Sequence, residues 1–240
     1  MTDDQSLRET FRHGDTDAVT SLAQAQLAQS RAAGDAASEV EALYALARVA
    51  LREHDLELAA GLAQEALAVA ETSGDGRLEE RPRHVLAAVA RMSGDYVRAR
   101  DLYGASIERN LALGNEHHVH SEYHNLALTE LHLGNVDRAR EMFHESQERA
   151  FRSGLGEFVP YLGLAGVAIA AAEGDMGRAA RLIGFTEEAF AAIDQVPDPD
   201  DARELDELRR LTVRALGQDR YAADRETGAR WSAEKAFDRS

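Results

Sequence analysis

Glycine, in all but one case followed by aspartate or asparagine, recurs along this chain at an interval of forty residues. One series comprises Gly34-Asp35, Gly74-Asp75, Gly114-Asn115 and Gly154-Leu155, and a second series, offset by twenty residues, comprises Gly94-Asp95, Gly134-Asn135 and Gly174-Asp175. Glycine suits the left-handed backbone just beyond a helix C-terminus, and Asp or Asn caps the helix that follows. The spacing therefore predicts helix, turn, helix units with helices of about seventeen residues.

Aligned on this period, the sequence shows columns of apolar or small residues, as expected where one helix packs on another. The columns are Ala59, Ala99, Ala139 and Ala179; Leu22, Leu62, Leu102, Met142 and Leu182; and Ala66, Ser106, Ser146 and Thr186. Two S-x-x-E capping boxes, at Ser6 and Ser38, predict helix starts at these serines. With only 4 prolines in 240 residues, the pattern predicts an all-α chain.

Neighbouring units would bury each other's apolar faces, so the fold class predicted is a single-domain α-solenoid of about five helical hairpins. The predicted parts are a lead-in helix at 1–14, repeats at 15–54, 55–94, 95–134, 135–174 and 175–217, and a capping helix at 218–240. Leu7 and Phe11 would cover the first repeat, whereas Trp231 and Phe237 would cover the last.

Two stretches carry a resemblance to known families. Leu126-Ala127, Leu133-Gly134-Asn135-Val136, Ala139, Phe143 and Ser146 resemble the tetratricopeptide (TPR) pattern, with a period of forty instead of about 34. The C-terminal part, from Gly174 to Gly184 and from Gly228 to Ala236, resembles the end of the sensor region of bacterial LuxR/AfsR-type ATPase transcriptional regulators. A P-loop motif does not occur in the sequence, so the resemblance implies the sensor or docking part alone.

Composition excludes several classes of function. The formal net charge of −16 disfavours direct binding of nucleic acid. The absence of cysteine excludes disulfides and thiolate metal sites and favours a reducing compartment. Neither a signal peptide nor a bilayer-length apolar stretch is recognisable, which predicts a cytoplasmic protein that does not bind membranes. That the protein is bacterial is implied by the resemblance to bacterial regulators. A homodimer is left open.

The TPR resemblance implies a concave groove lined by one helix of each repeat. The groove residues that it implies are Tyr44, Arg48, Arg81, His84, Arg91, His124, Asn125, Leu128, Tyr161 and Leu164. Arginine and aromatic side chains are common at binding hot spots, and the arginines would accept an anionic group while Tyr161 and Leu164 hold an apolar anchor. In the alternative interpretation, Arg48, Arg81 and Arg91 only pair with the abundant acidic residues.

Chemistry at a fixed site is weakly indicated. His117, His120 and His124 share one helix face and are the only local set that suggests a metal. Solvent-exposed histidines are the favoured interpretation, so no metal and no cofactor are predicted. No nucleophile signature occurs, and the chain is predicted to be no enzyme. The function predicted is a protein- or peptide-binding scaffold in transcriptional or signalling regulation; the alternative is a small-ligand sensor domain of a transcriptional regulator.

Overall fold

A computed structural model describes residues 3–238, and over this range the chain is all-helical, without strands. The all-α prediction is confirmed. The α-helices are α1 (Asp3–Arg12), α2 (Thr16–Ala33), α3 (Ala36–Arg52), α4 (Leu56–Ser73), α5 (Glu80–Met92), α6 (Tyr96–Leu113), α7 (Glu116–His132), α8 (Val136–Ser153), α9 (Val159–Ala172), α10 (Met176–Ala192), α11 (Pro199–Leu216), α12 (Gln218–Gly228) and α13 (Ala233–Ala236). Short 3₁₀ helices, Gly76–Glu79 and Gly156–Phe158, precede α5 and α9 and make these two helices shorter than predicted.

The glycine marks end helices as the sequence predicts. Gly34, Gly74, Gly114 and Gly154 are left-handed C-caps, with φ between 66° and 74°. The aspartates cap the next helix; for example, Asp95 accepts a hydrogen bond from the backbone N–H of Arg98 at 3.2 Å. Each predicted repeat therefore contains two helices.

The two predicted capping boxes are wrong. Helix α1 already runs through Ser6. Helix α3 begins at Ala36, and its cap is Asp35, which accepts from the N–H of Ser38 at 3.2 Å. A carboxylate three residues upstream therefore replaces Ser38 as the cap, and Glu41 is left to other partners.

The described chain divides into two compact units. Unit 1 comprises the residues up to Glu116 together with Asp198–Asp200, and unit 2 comprises His117–Pro197 together with the residues from Asp201 onward. The single-domain organisation and the stacking of five hairpins into a solenoid stay predictions. Among the described residues, no helix is long and apolar enough to cross a membrane.

Unit 1 has a continuous apolar core between consecutive helices. Leu7 and Phe11 of α1, each 2% exposed, pack against α2 and α3. The next cluster joins α3, α4 and α5 through Leu51, Ala63 and Val85. Alanine on α4 permits close helix contact, and the aligned alanines Ala59, Ala99, Ala139 and Ala179 are all 0% exposed. The alanine column is thus a core column, as predicted.

The aligned column of Leu and Met residues, unlike the alanine column, is not buried in every repeat. Leu22 is 43% exposed, whereas Met142 is 8% and Leu182 1% exposed. The same repeat position is therefore solvent-exposed on α2 and buried on α10, because burial depends on what packs against each helix.

In unit 2, α10 packs closely against both α9 and α12. A Cβ added to Gly184 of α10 would lie 2.0 Å from the carbonyl oxygen of Arg225 on α12. Any side chain at this position would clash with the backbone of α12. The glycine therefore allows α10 and α12 to pack this closely. This contact attaches the C-terminal segment to α10.

Candidate functional site

Helix α3 brings Tyr44 and Arg48 to one face, since residues four apart are neighbours on a helix. The guanidinium carbon of Arg48 lies 3.7 Å from the centre of the Phe11 ring and 5.4 Å from that of Tyr44. Cation–π contact with two rings holds the guanidinium in place. The same group donates a hydrogen bond to the carboxylate of Asp198.

Arg81 on α5 also lies close to Tyr44. Its guanidinium carbon is 5.3 Å from the centre of the Tyr44 ring, and it forms an ion pair with Glu41. Glu41 also accepts from Nε of Arg8 at 3.1 Å, and its side chain is only 7% exposed. Two arginines thus neutralise one buried carboxylate, which suits a charge removed from water.

Arg91, near the end of α5, is the most deeply buried of the three predicted arginines. Its Nη2 atom lies 2.6 Å from Oδ2 of Asp200, and the two side chains are 3% and 6% exposed. A buried pair of this kind is held together because either charge alone would be costly to bury. We use the term arginine face for Tyr44, Arg48, Arg81 and Arg91.

The three predicted arginines form ion pairs with acidic residues, as the alternative interpretation expects. Arg48, Arg81 and Arg91 pair with Asp198, Glu41 and Asp200 respectively. The side chains of Arg48 and Arg81 are 16% and 21% exposed. His84 on α5 is half-buried, and its ring lies 6.4 Å from that of Tyr103 on α6.

In unit 2, His124 lies within a cluster of aromatic rings. Its ring centre is 5.7 Å from that of Tyr161 and 6.2 Å from that of Phe143, and its Nε2 lies 3.3 Å from Oδ1 of Asp201. Tyr161 in turn contacts Phe190 at 5.2 Å between ring centres. The structure therefore brings together two of the predicted residues, His124 and Tyr161.

Three other predicted groove residues are buried. Leu128 and Leu164 are 0% exposed, and Asn125 is 4% exposed. The helices of unit 2 cover these apolar side chains, so Leu128 and Leu164 are core residues, and we omit all three from the binding surface proposed below. Within the described part of the chain, the side-chain oxygen of Asn125 has no hydrogen-bond partner.

The candidate metal ligands are arranged less favourably than their spacing suggests. The side chain of His117 lies outside the described residues. His120 is 2% exposed and packs on Phe158, with ring centres 5.6 Å apart, so the expectation of solvent-exposed histidines is wrong at His120 and His124. Among the described side chains, no three His, Asp or Glu residues form a group that could hold a metal ion.

Sequence reasoning missed the partners of the arginines. Asp198 and Asp200 belong to the segment Asp194–Asp201, which the sequence presents only as an acidic turn. In the sequence this segment is distinguished only by its negative charge. Charge alone does not predict which of the many arginines pairs with each aspartate. Asp198 is 150 residues from Arg48 in the sequence.

Comparison with solved structures finds a protein with a similar fold. BtubC (BKLC) from P. vanneervenii has a similar structure. The TM-score is 0.60 at 20% sequence identity, over 93% of this chain and 92% of that chain. At this identity the likeness concerns the fold alone. The sequence matches no protein-family model and no curated protein.

Proposed function

We propose that this protein is a non-enzymatic, TPR-like α-solenoid that binds an acidic segment of a partner protein at the arginine face of unit 1. The role would lie in bacterial transcriptional or signalling regulation, as the sequence resemblance implies. The small-ligand sensor stays the alternative prediction.

One observation carries the proposal: two aspartates of a short acidic stretch already lie on the arginine face. Asp198 is held by Arg48 and Asp200 by Arg91. The face therefore accepts carboxylates that are two residues apart in one peptide. An acidic partner segment with the same spacing would satisfy the same donors.

The chemistry of the face suits such a ligand. Guanidinium groups donate in a planar fork that matches a carboxylate, and such charge-assisted hydrogen bonds are stronger than neutral ones. Tyr44 lies beneath both Arg48 and Arg81, which orients the donors before a ligand arrives. Less side-chain order is then lost on binding.

The internal aspartates would compete with a partner, and the Arg48 pair is the more accessible point of competition. Asp198 has a side chain 36% exposed, whereas Asp200 is 6% exposed. We therefore expect a partner to displace Asp198 first, because a partly exposed ion pair is weaker than a buried one.

The experiment is a titration of the full chain with the fluorescently labelled peptide Val-Pro-Asp-Pro-Asp-Asp, which copies residues 196–201. Asp198→Asn should tighten binding because it removes the internal carboxylate that competes for Arg48, and Arg48→Gln should weaken it about fivefold or more. Arg77→Gln is the matched control, since Arg77 is a 76% exposed arginine of unit 1 that pairs with Asp75. A peptide with Asn in place of Asp should not bind. Equal affinity of wild type, Asp198→Asn and Arg48→Gln would contradict the proposal.

A further inference from the structure

Unit 2 contains a cleft to which the peptide-binding proposal assigns no role. It lies among α8, α9, α10 and residues 236–238 and has a volume of about 420 Å³. Small-molecule sites commonly fall between roughly 300 and 1,000 Å³ and combine an apolar floor with a few polar groups. The cleft is large enough for a small ligand.

The floor of the cleft is apolar. It is formed by Phe143 of α8, Leu162 and Ile169 of α9, and Leu182 of α10. Gly166 lies in the same lining; a Cβ there would lie only 3.2 Å from Cδ1 of Leu182, so glycine permits the close packing of α9 on this leucine. The floor therefore presents apolar side chains to a ligand.

One wall is the end of the chain. The Phe237 ring lies edge-on to two rings, 5.8 Å from the centre of Phe151 and 5.5 Å from that of Phe185. Arg178 of α10 donates to Asp238 at 2.9 Å. These contacts hold this wall against α8 and α10.

Another wall is a row of hydrogen-bond donors on α8. Arg140, His144 and Gln147 all line the cleft, and their spacing places them on one helix face. Arg140 already donates to two exposed carboxylates, from Nη1 to Oδ1 of Asp137 at 2.8 Å and from Nη2 to Oε1 of Glu173 at 2.6 Å. These three side chains are at least 40% exposed, and exposed ion pairs are weak. A ligand carboxylate can therefore compete for Arg140.

We propose that this cleft binds a small carboxylic acid with an apolar body. The body lies on Leu162, Ile169 and Leu182, and the carboxylate lies at the α8 wall beside Arg140 and His144. The proposal does not depend on the arginine face, since none of its residues lines this cleft.

The test uses the full chain and octanoate as the probe, measured by titration calorimetry, with 1-octanol as the uncharged counterpart. We expect one octanoate per chain and binding of octanol about fivefold weaker or more. The double variant Arg140→Gln, His144→Gln should lose that difference. Arg149→Gln is the control on the same helix, because Arg149 pairs with Glu145 and lies outside the lining.

Two variants fill the cleft. Gly166→Leu and Ile169→Trp should each abolish octanoate binding while circular dichroism shows a folded chain. If both fail to fold, the donor-wall variant decides alone. The proposal is overturned by any of three results: no saturable octanoate binding, equal affinity for octanol, or unchanged affinity in the donor-wall variant or in a folded cleft-filling variant.

Discussion

A Cβ added to Gly228 of α12 would lie 1.7 Å from the carbonyl oxygen of Arg181 on α10. The obstacle is backbone, which cannot rotate away as a side chain can. We predict that Gly228→Ala forces α12 off α10 and lowers the free energy of unfolding by about 3 kcal/mol, at the upper end of the usual overpacking cost. Thermal unfolding followed by circular dichroism measures the change.

The matched control is Gly61→Ala on α4. Among the described residues, none comes within 4 Å of a Cβ at this position. Alanine in a helix interior is more favourable than glycine by about 0.5–1 kcal/mol, so the midpoint should rise. Similar losses in both variants would contradict the role assigned to the α10 and α12 contact.

The buried pair of Arg91 and Asp200 predicts a second stability difference. Asp200→Asn removes a charge that faces a 3% exposed arginine and should lower the free energy of unfolding by about 3 kcal/mol. Asp198→Asn, at a position 36% exposed, should lower it by less than about 1 kcal/mol. Urea denaturation of the two variants provides the comparison, and an equal effect would show that burial does not distinguish the pairs.

Asp75 provides a test by pH. Hydrogen bonds from the side chain and the backbone N–H of Arg77 lower the pKa of Asp75 from its ordinary 3.8 to about 2. Because the folded pKa is depressed, the stabilisation is complete above pH 4 and is lost as the pH falls towards about 2. NMR titration of the Asp75 carboxyl carbon in the wild type and in Arg77→Gln should show the pKa moving back towards 3.8. No movement would mean that Arg77 does not cause the shift.

The C-terminal segment supports a prediction about solubility. Truncation after Arg220 removes the helix that packs on α10 and the Phe237 ring that contacts Phe151 and Phe185. The apolar surfaces of α8 and α10 would then face water, so we expect aggregation and a lower melting temperature. A truncated chain that stays monomeric in gel filtration and melts at the wild-type temperature would show that the segment is no cap.

Local features of this protein could be predicted well from the sequence. The left-handed glycine at position 114 and the aspartate cap at position 95 depend on contacts within about four residues, which the sequence specifies directly. The buried alanine column follows from helical periodicity for the same reason. The capping box at Ser38 failed because Asp35 upstream accepts from the same backbone donors, and the one at Ser6 failed because α1 already begins at Asp3.

The candidate site was less predictable because it depends on long-range contacts. The family resemblance selected Arg48 and Arg91, but Asp198 and Asp200 lie far away in the sequence and were not identified as their partners. Leu164 was placed in a groove and is buried, since only the packing of neighbouring helices decides which side of α9 faces solvent.

The sequence by itself determined where the glycine-marked helices end and which small residues face a neighbouring helix, because caps and periodicity are properties of short segments. Tertiary structure alone decided which arginine meets which aspartate, whether Leu22 or Leu182 is buried at the same repeat position, and where a cleft forms around Gly166. Those outcomes depend on side chains from distant segments competing for the same space and the same charges, and no local pattern encodes that competition.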